Sequence, residues 1–271
     1  MILPERGFYM NYVYCIPKLN QLDDYISFSK NYDACFEYND FFIPSILDDV
    51  KKTDEIINIY TSLDRDRSND TLHGVFLDIC INSDDPMIYK VSDYRVHQSL
   101  DIALRLGVRA VIFHTNHISN FKLKSYQDNW LNRNEQYWRR ILKEYPALNI
   151  YIENMFDMDD YLLKKLAIKM DNEPRFGVCL DVAHAFIGTQ PLNEWFYDLS
   201  PYIRHLHIND NNGIEDSHNP VGSMDVPWNL YRDYIKSLPS EKLPSVLIEV
   251  NDYDDLVSSV EYMKDNKLYP F

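Results

Sequence analysis

Between Arg204 and His218 the chain reads RHLHINDNNGIEDSH, a short apolar run that opens into a polar turn. Within twelve residues it places His207, Asp210, Asp216 and His218, four side chains able to bind a metal ion or carry a proton. Related residues recur at the ends of other apolar runs: His73 in TLHGVF, His114 in VIFHTN, Glu153 in IYIENM, Asp181 in VCLDVAH and Glu249 in VLIEVND. His184 follows Asp181 by three residues. A carboxylate such as Glu153, preceded by Ile150, Tyr151 and Ile152, is costly to bury without a cation or donor. Carboxylates and imidazoles gathered on one rim repel or desolvate one another unless a divalent cation neutralises them. The pattern therefore points to a metal centre. Mixed nitrogen and oxygen donors suit Zn²⁺, Mn²⁺, Fe²⁺ or Co²⁺, and no thiolate joins the set to favour zinc alone.

Something must hold these residues together, and the alternation of elements supplies it. Strands are expected at 11–16, 34–38, 71–75, 110–114, 149–153, 177–181, 205–209 and 246–250. Helical spacing fills the gaps at 92–106, 127–145, 159–170, 191–199, 228–238 and 253–264. Gly107 stands where a helix should stop, and Pro191 and Pro227 stand where a first turn tolerates proline. Eight alternating units specify a parallel sheet with right-handed crossovers, and at this length a closed (β/α)8 TIM barrel, in the α/β class. A doubly wound open sheet is the alternative, but no G-x-G-x-x-G follows the first strand. Barrel strands present their chemistry at their C-terminal ends, where six consecutive strands here carry a ligand type.

Composition narrows the partners. A 45% hydrophobic content supports a large core, and no Gly/Ser-rich or Pro-rich run divides the 271 residues, so a single domain over 1–271 is expected. The formal charge of −15 repels polyanions, which argues against nucleic acid and anionic membranes as partners. Cys15, Cys35, Cys80 and Cys179 form no C-x-x-C pair and read as buried free thiols. MILPERGFYMNY lacks the basic and apolar regions of a signal peptide, and no run of about 18 apolar residues is present. These features fit a reducing cytoplasm. The helix faces are too unevenly patterned to specify an oligomeric state.

The motifs HGVFLD, IFHTNH, IYIEN, CLDVAHAF, HLHINDNNG and LIEV resemble the xylose isomerase-like TIM-barrel superfamily from about Asn11 onward. Its members include sugar isomerases and epimerases and the endonuclease IV-type zinc phosphodiesterases. In the first branch the resemblance implies one divalent ion on Glu153, Asp181, His207 and Glu249. The ion would polarise a carbonyl, Glu153 and Glu249 would remove and return a proton on opposite faces, and His184 would bind substrate. In the second branch it implies three zinc ions and nine ligands, adding His73, His114, His184, Asp216 and His218. Such a cluster suits phosphodiester hydrolysis.

The surroundings weigh toward the first branch. The expected rim loops carry Asp78, Asp84, Asp85, Asp157, Asp159, Asp160, Asp252, Asp254 and Asp255, whereas a duplex needs Lys and Arg along its phosphates. Lys122 and Lys124 are the basic rim candidates, suited to a small polar substrate. Asn154, Asn209 and Trp228 join them as candidate substrate contacts, and aromatic walls suit a sugar ring. Phe76, Trp130 and Tyr137 are further rim candidates, Trp138 reads as core, His97 and His205 as structural, and His117 as an open candidate. Related sequences often follow the Asp-x-His pair with G-x-G, but HNPVGSMDVPW has Met224 at the second glycine, so a differently shaped loop is expected. The sequence thus favours an isomerase or epimerase of a small carbohydrate-like substrate, with a zinc phosphodiesterase as the alternative and one to three ions bound. A passive sugar-binding or scaffolding barrel is the weakest reading, because a converging ligand set has little use there.

Overall fold

The computed structural model of the protein describes residues 13–75 and 78–271. Its strands are β1 (Val13–Cys15), β2 (Cys35–Tyr38), β3 (Thr71–His73), β4 (Ala110–His114), β5 (Asn149–Glu153), β6 (Phe176–Asp181), β7 (Ile203–Ile208) and β8 (Ser245–Ile248). They pair in that order, all parallel, and β1 pairs with β8 to close the barrel. The expected (β/α)8 architecture is what forms. Asn11 and Phe76 lie outside the described residues. Four strands end early, β1 and β7 by one residue and β3 and β8 by two; Gly74 and Glu249 stand just beyond β3 and β8, although their N–H groups still donate to Ile112 and Ile208.

The helices are α1 (Leu22–Tyr32), α2 (Pro44–Leu47), α3 (Val50–Thr61), α4 (Pro86–Leu106), α5 (Lys124–Glu144), α6 (Tyr161–Lys169), α7 (Val182–Ile187), α8 (Leu192–Leu199), α9 (Trp228–Ser237) and α10 (Tyr253–Asp265). Helix α4 starts six residues before the expected Ser92, because Asp85 caps it by accepting from Met87 N–H and Pro86 fits the first turn. It stops at Gly107, whose φ of 76° is the left-handed cap expected there. Asp252 likewise caps α10 through Asp255 N–H. Two of the acidic residues expected on the rim therefore serve helix starts. No helix among the described residues is long and apolar enough to cross a membrane.

Most buried apolar residues form one layer between the strands and the helices. Two smaller groups, Tyr14, Ile16, Cys35 and Leu247, and Ala110, Ile112, Tyr151 and Cys179, are separate from it. They fill the barrel interior. Strand side chains alternate with period two, so two residues beyond these inward positions stand Glu37, His114, Glu153, Asp181 and Glu249. The alternation that packs the barrel thus aims the chemistry inward. On the outer layer, Trp130, Tyr137 and Trp138 of α5 are all buried, as is Trp228. Trp138 is core as expected, but Trp130 and Tyr137 are core too, pressed by α5 against the barrel rather than walling a rim. Cys15, Cys35 and Cys179 are buried free thiols and Cys80 is half-buried.

Candidate metal centre

Glu153 ends β5 beside its register partner His114 on β4, and Asp181 ends β6 beside His207 on β7. Strand pairing alone brings these four to one rim. Asp181 is also the N-cap of α7: its Oδ1 accepts from His184 N–H at 2.7 Å. The cap places His184 one turn along and leaves Asp181 Oδ2 with no hydrogen bond among the described residues. Asn154 fixes the same point from below, donating to Asp181 O at 2.9 Å and accepting from Asp181 N–H at 2.8 Å. Asn154 is therefore a brace for Asp181, and its side chain is engaged there rather than facing the rim.

Glu153 is the hub of the nine candidates. Its Oε2 lies 3.4 Å from both His73 Nε2 and His114 Nε2. Its Oε1 lies 3.3 Å from His207 Nδ1 and 3.5 Å from His184 Nδ1. His207 Nδ1 is also 3.1 Å from Glu249 Oε2. Farther out, Asp216 Oδ2 sits 3.1 Å from His184 Nε2 and 3.2 Å from His218 Nε2. Donor atoms within 4.8 Å of one another occur in Glu153, Asp181, His207 and Glu249, in His73, Glu153 and His207, in His184, Asp216 and His218, and, deeper in the barrel, in Glu37, His205 and His207.

These groups fit divalent cations. Glu153 Oε2, Asp181 Oδ2, Glu249 Oε2, Asp216 Oδ1 and His207 Nδ1 are buried with no hydrogen-bond partner among the described residues, which is costly for so many charged or polar atoms. A cation removes that cost for carboxylate and imidazole together. Glu153, Asp181 and His207 are at most 1% exposed, whereas Asp216 and His218 are half-buried. The outermost group is thus the one that meets solvent.

Electrostatics describe a set that holds protons where a cation would sit. Burial opposes ionisation of Glu153, but the imidazoles of His207 and His114 hold its carboxyl well below the ordinary range. Burial pushes Asp181 up to about 7, against the nearby His184 and with help from Glu153 and Glu249. Burial also works against a charged His218, yet Glu249 and Asp216 push it up to about 9. His184 and His207 are likewise held well above the imidazole range by neighbouring anions despite burial. Burial lowers His114.

A pH dependence follows from these directions. A folded pKa raised above the unfolded value stabilises the fold fully at low pH, and that contribution is lost as pH rises through the folded pKa. For Asp181 the loss runs toward about 7 and for His218 from about 6.5 to 9. Chelator-treated protein should therefore lose thermal stability between pH 6.5 and 9, while the midpoint rise on adding Zn²⁺ grows, because metal replaces protons. Melting curves at pH 6.5, 7.5 and 9 check this. A chelated midpoint that rises across the window contradicts it.

Other candidates have different places. Asp210 does not join the cluster: its carboxylate accepts from the N–H groups of Asn211, Gly222, Met224 and Val226 and from Trp228 Nε1. It folds the long loop after β7, and Trp228 is committed to that loop at 2.9 Å. Gly222 keeps the turn with φ 86°, where a Cβ would meet the Tyr262 ring at 2.4 Å, and Met224 is accommodated half-exposed beside it. Lys122 pairs with Asp159 at 2.8 Å and Lys124 with Asp128 at 2.7 Å. Asn209 is fully buried, and its amide oxygen and nitrogen have no hydrogen-bond partner among the described residues. His117 Nδ1 is 2.7 Å from Asp157 Oδ1, outside the metal groups. His97, on α4, contacts Asp93 O and Glu144 on the helix surface.

Two residues at the centre are not singled out by the sequence patterns. Phe156, half-exposed, has its ring 5.6 Å from that of His184. Glu37 on β2 is fully buried, with Oε1 3.1 Å from His207 Nε2. A carboxylate inside ACFEY carries the signal that marks Glu153 inside IYIE.

Comparisons place this centre in context. At 26% identity over 205 residues, the chain is similar to uncharacterized protein MJ1614 of Methanocaldococcus jannaschii, covering 72% of this chain and 76% of that protein. The TTHB071 protein from Thermus thermophilus, soaked with ZnCl2, superposes with a TM-score of 0.71 at 18% identity, covering 94% of this chain and 97% of that one. A D-tagatose 3-epimerase-like protein superposes with a TM-score of 0.72 at 19% identity, covering 94% and 96%. The sequence profile of the xylose isomerase-like TIM barrel matches residues 7–265, and the chain belongs to that family.

Proposed function

We propose that the protein is a multinuclear divalent-metal hydrolase acting on a small phosphoester. The observation that carries this is the outer group: His184, Asp216 and His218 converge within 4.8 Å beside the inner ligands. A single-ion isomerase needs Glu153, Asp181, His207 and Glu249 and has no use for a second convergent set. Bound cations would supply Lewis acidity and charge neutralisation for an ester undergoing displacement. The chain's own part is placement. Glu153 presents one oxygen to His73 and His114 and the other to His207 and His184, so it is suited to lie between ions. Asp181 is oriented by its cap and by Asn154. The half-exposed Phe156, against His184, offers an aromatic wall to the organic part of a substrate.

The substrate is small rather than a duplex, since Lys122 and Lys124 are both paired with carboxylates and the formal charge is −15. Those same features keep an epimerase as the second reading, supported by the likeness to a D-tagatose 3-epimerase-like protein. The Thermus thermophilus relative soaked with ZnCl2 makes zinc the first metal to try. The test is a panel of small phosphomonoesters and diesters with zinc- or manganese-loaded protein, run beside candidate ketoses in deuterated water. Hydrolysis of at least one ester, without carbon-bound deuterium, is expected. Deuterium incorporation with no hydrolysis at high enzyme concentration overturns the reading in favour of the epimerase.

A further inference from the structure

Beneath the metal centre lies a second polar layer inside the barrel. Glu37 on β2 and His205 and His207 on β7 are all fully buried there. Glu37 Oε2 accepts from Thr71 Oγ1 at 2.6 Å and lies 3.3 Å from His205 Nε2, while Oε1 lies 3.1 Å from His207 Nε2. His205 Nδ1 contacts Ser245 Oγ at 2.7 Å, and Ser245 in turn accepts from Arg109 at 3.2 Å. His207 is therefore sandwiched: its Nδ1 side faces Glu153 and Glu249, and its Nε2 side faces Glu37.

An imidazole can ligate a cation through Nδ1 only if its single proton sits on Nε2. A carboxylate on the Nε2 side selects that tautomer, fixes the ring plane and raises the basicity of the ligating nitrogen. Resting on the metal-centre reading above, we propose that Glu37 is a positioning residue for His207, holding it as the Nε2–H tautomer with Nδ1 open to the central ion. Thr71, which donates to Glu37 Oε2 at 2.6 Å, keeps the carboxylate in place, with the His205 ring packed 3.3 Å from the same oxygen. Glu37 itself touches neither substrate nor ion.

The test combines zinc affinity with the tautomer. Full-length wild type and Glu37→Gln are titrated with Zn²⁺ against a chelator of known affinity, ions per chain are counted, and His207 is read by ¹⁵N NMR. The expected result is a central ion bound roughly 10–100-fold more weakly in E37Q, with the outer group's ion unchanged and the ion count at saturation intact. In zinc-loaded wild type His207 should be protonated at Nε2 alone, and in the partly loaded variant the two tautomers should mix. An Nδ1–H tautomer in wild type overturns the proposal even if the variant fails to fold. So does unchanged central affinity, or the loss of a whole ion, which would make Glu37 a ligand. A fall in melting temperature with affinity and tautomer unchanged would reduce Glu37 to a packing role. If wild type takes up no zinc, the metal centre itself is refuted, and whether the His207 Nε2–H signal shifts in E37Q then decides the Glu37 contact separately.

Discussion

Replacing Glu153 by Ala is expected to remove more than one ion from the protein at once. Glu153 is the only one of the nine candidates whose two oxygens face different imidazole pairs, His73 and His114 on one side, His207 and His184 on the other. Losing it exposes those imidazoles to one another in a site that is almost fully buried. The loss in affinity should exceed the roughly 10–100-fold typical of a group behind a ligand, and hydrolysis should fall at least as far. Elemental analysis of E153A against wild type reads this. A variant that keeps its full metal content refutes the hub, and one that loses a single ion refutes bridging. In chelator E153A should melt lower than wild type, because the imidazoles around Glu153 lose their counter-charge, so a native-like circular dichroism spectrum below the melting range is what separates metal loss from unfolding.

Asp216→Ala should remove the outer ion alone. The loop that carries Asp216 is anchored independently, because Asp210 gathers the N–H groups of Gly222, Met224 and Val226 together with Trp228. The fold should therefore survive, with one ion fewer and His184 and His218 left without their shared carboxylate. Phosphoester hydrolysis should drop by roughly 10²–10³-fold, the scale of losing one preorganised charge-stabilising group. If the barrel instead moves a proton beside a carbonyl, D216A should retain proton exchange while Glu249→Ala loses it. Measured side by side, the two variants separate the chemistries without knowledge of the natural substrate.

Much of this centre is legible in the chain because two periodicities are simple. Apolar runs of strand length separated by helical spacing specify the barrel, and the period of two places His114, Glu153 and Asp181 at strand ends. What the sequence does not resolve is the engagement of individual polar groups. Asp210 looks like a ligand as much as Asp216 does, since both sit in one polar turn; only the backbone path shows Asp210 turned toward four loop N–H groups. Trp228 reads as a candidate substrate wall, but the same carboxylate takes its indole N–H. Lys122 and Lys124 meet Asp159 and Asp128, one across loops and one a helical turn away. Glu37 goes unseen because it lies deeper than the rim, in a strand whose apolar pattern dominates. The outer group also shifts the balance between chemistries: ligand types can be counted in the sequence, but their convergence cannot.

The most direct measurement is metal stoichiometry on protein prepared without chelators, with anomalous scattering at the metal edge to locate each ion. Three sites are expected, with Glu153 between ions and His184, Asp216 and His218 holding the outermost. A single ion on Glu153, Asp181, His207 and Glu249, with Asp216 and His218 unengaged at saturating metal, would contradict the multinuclear centre and return the protein to sugar-type isomerisation.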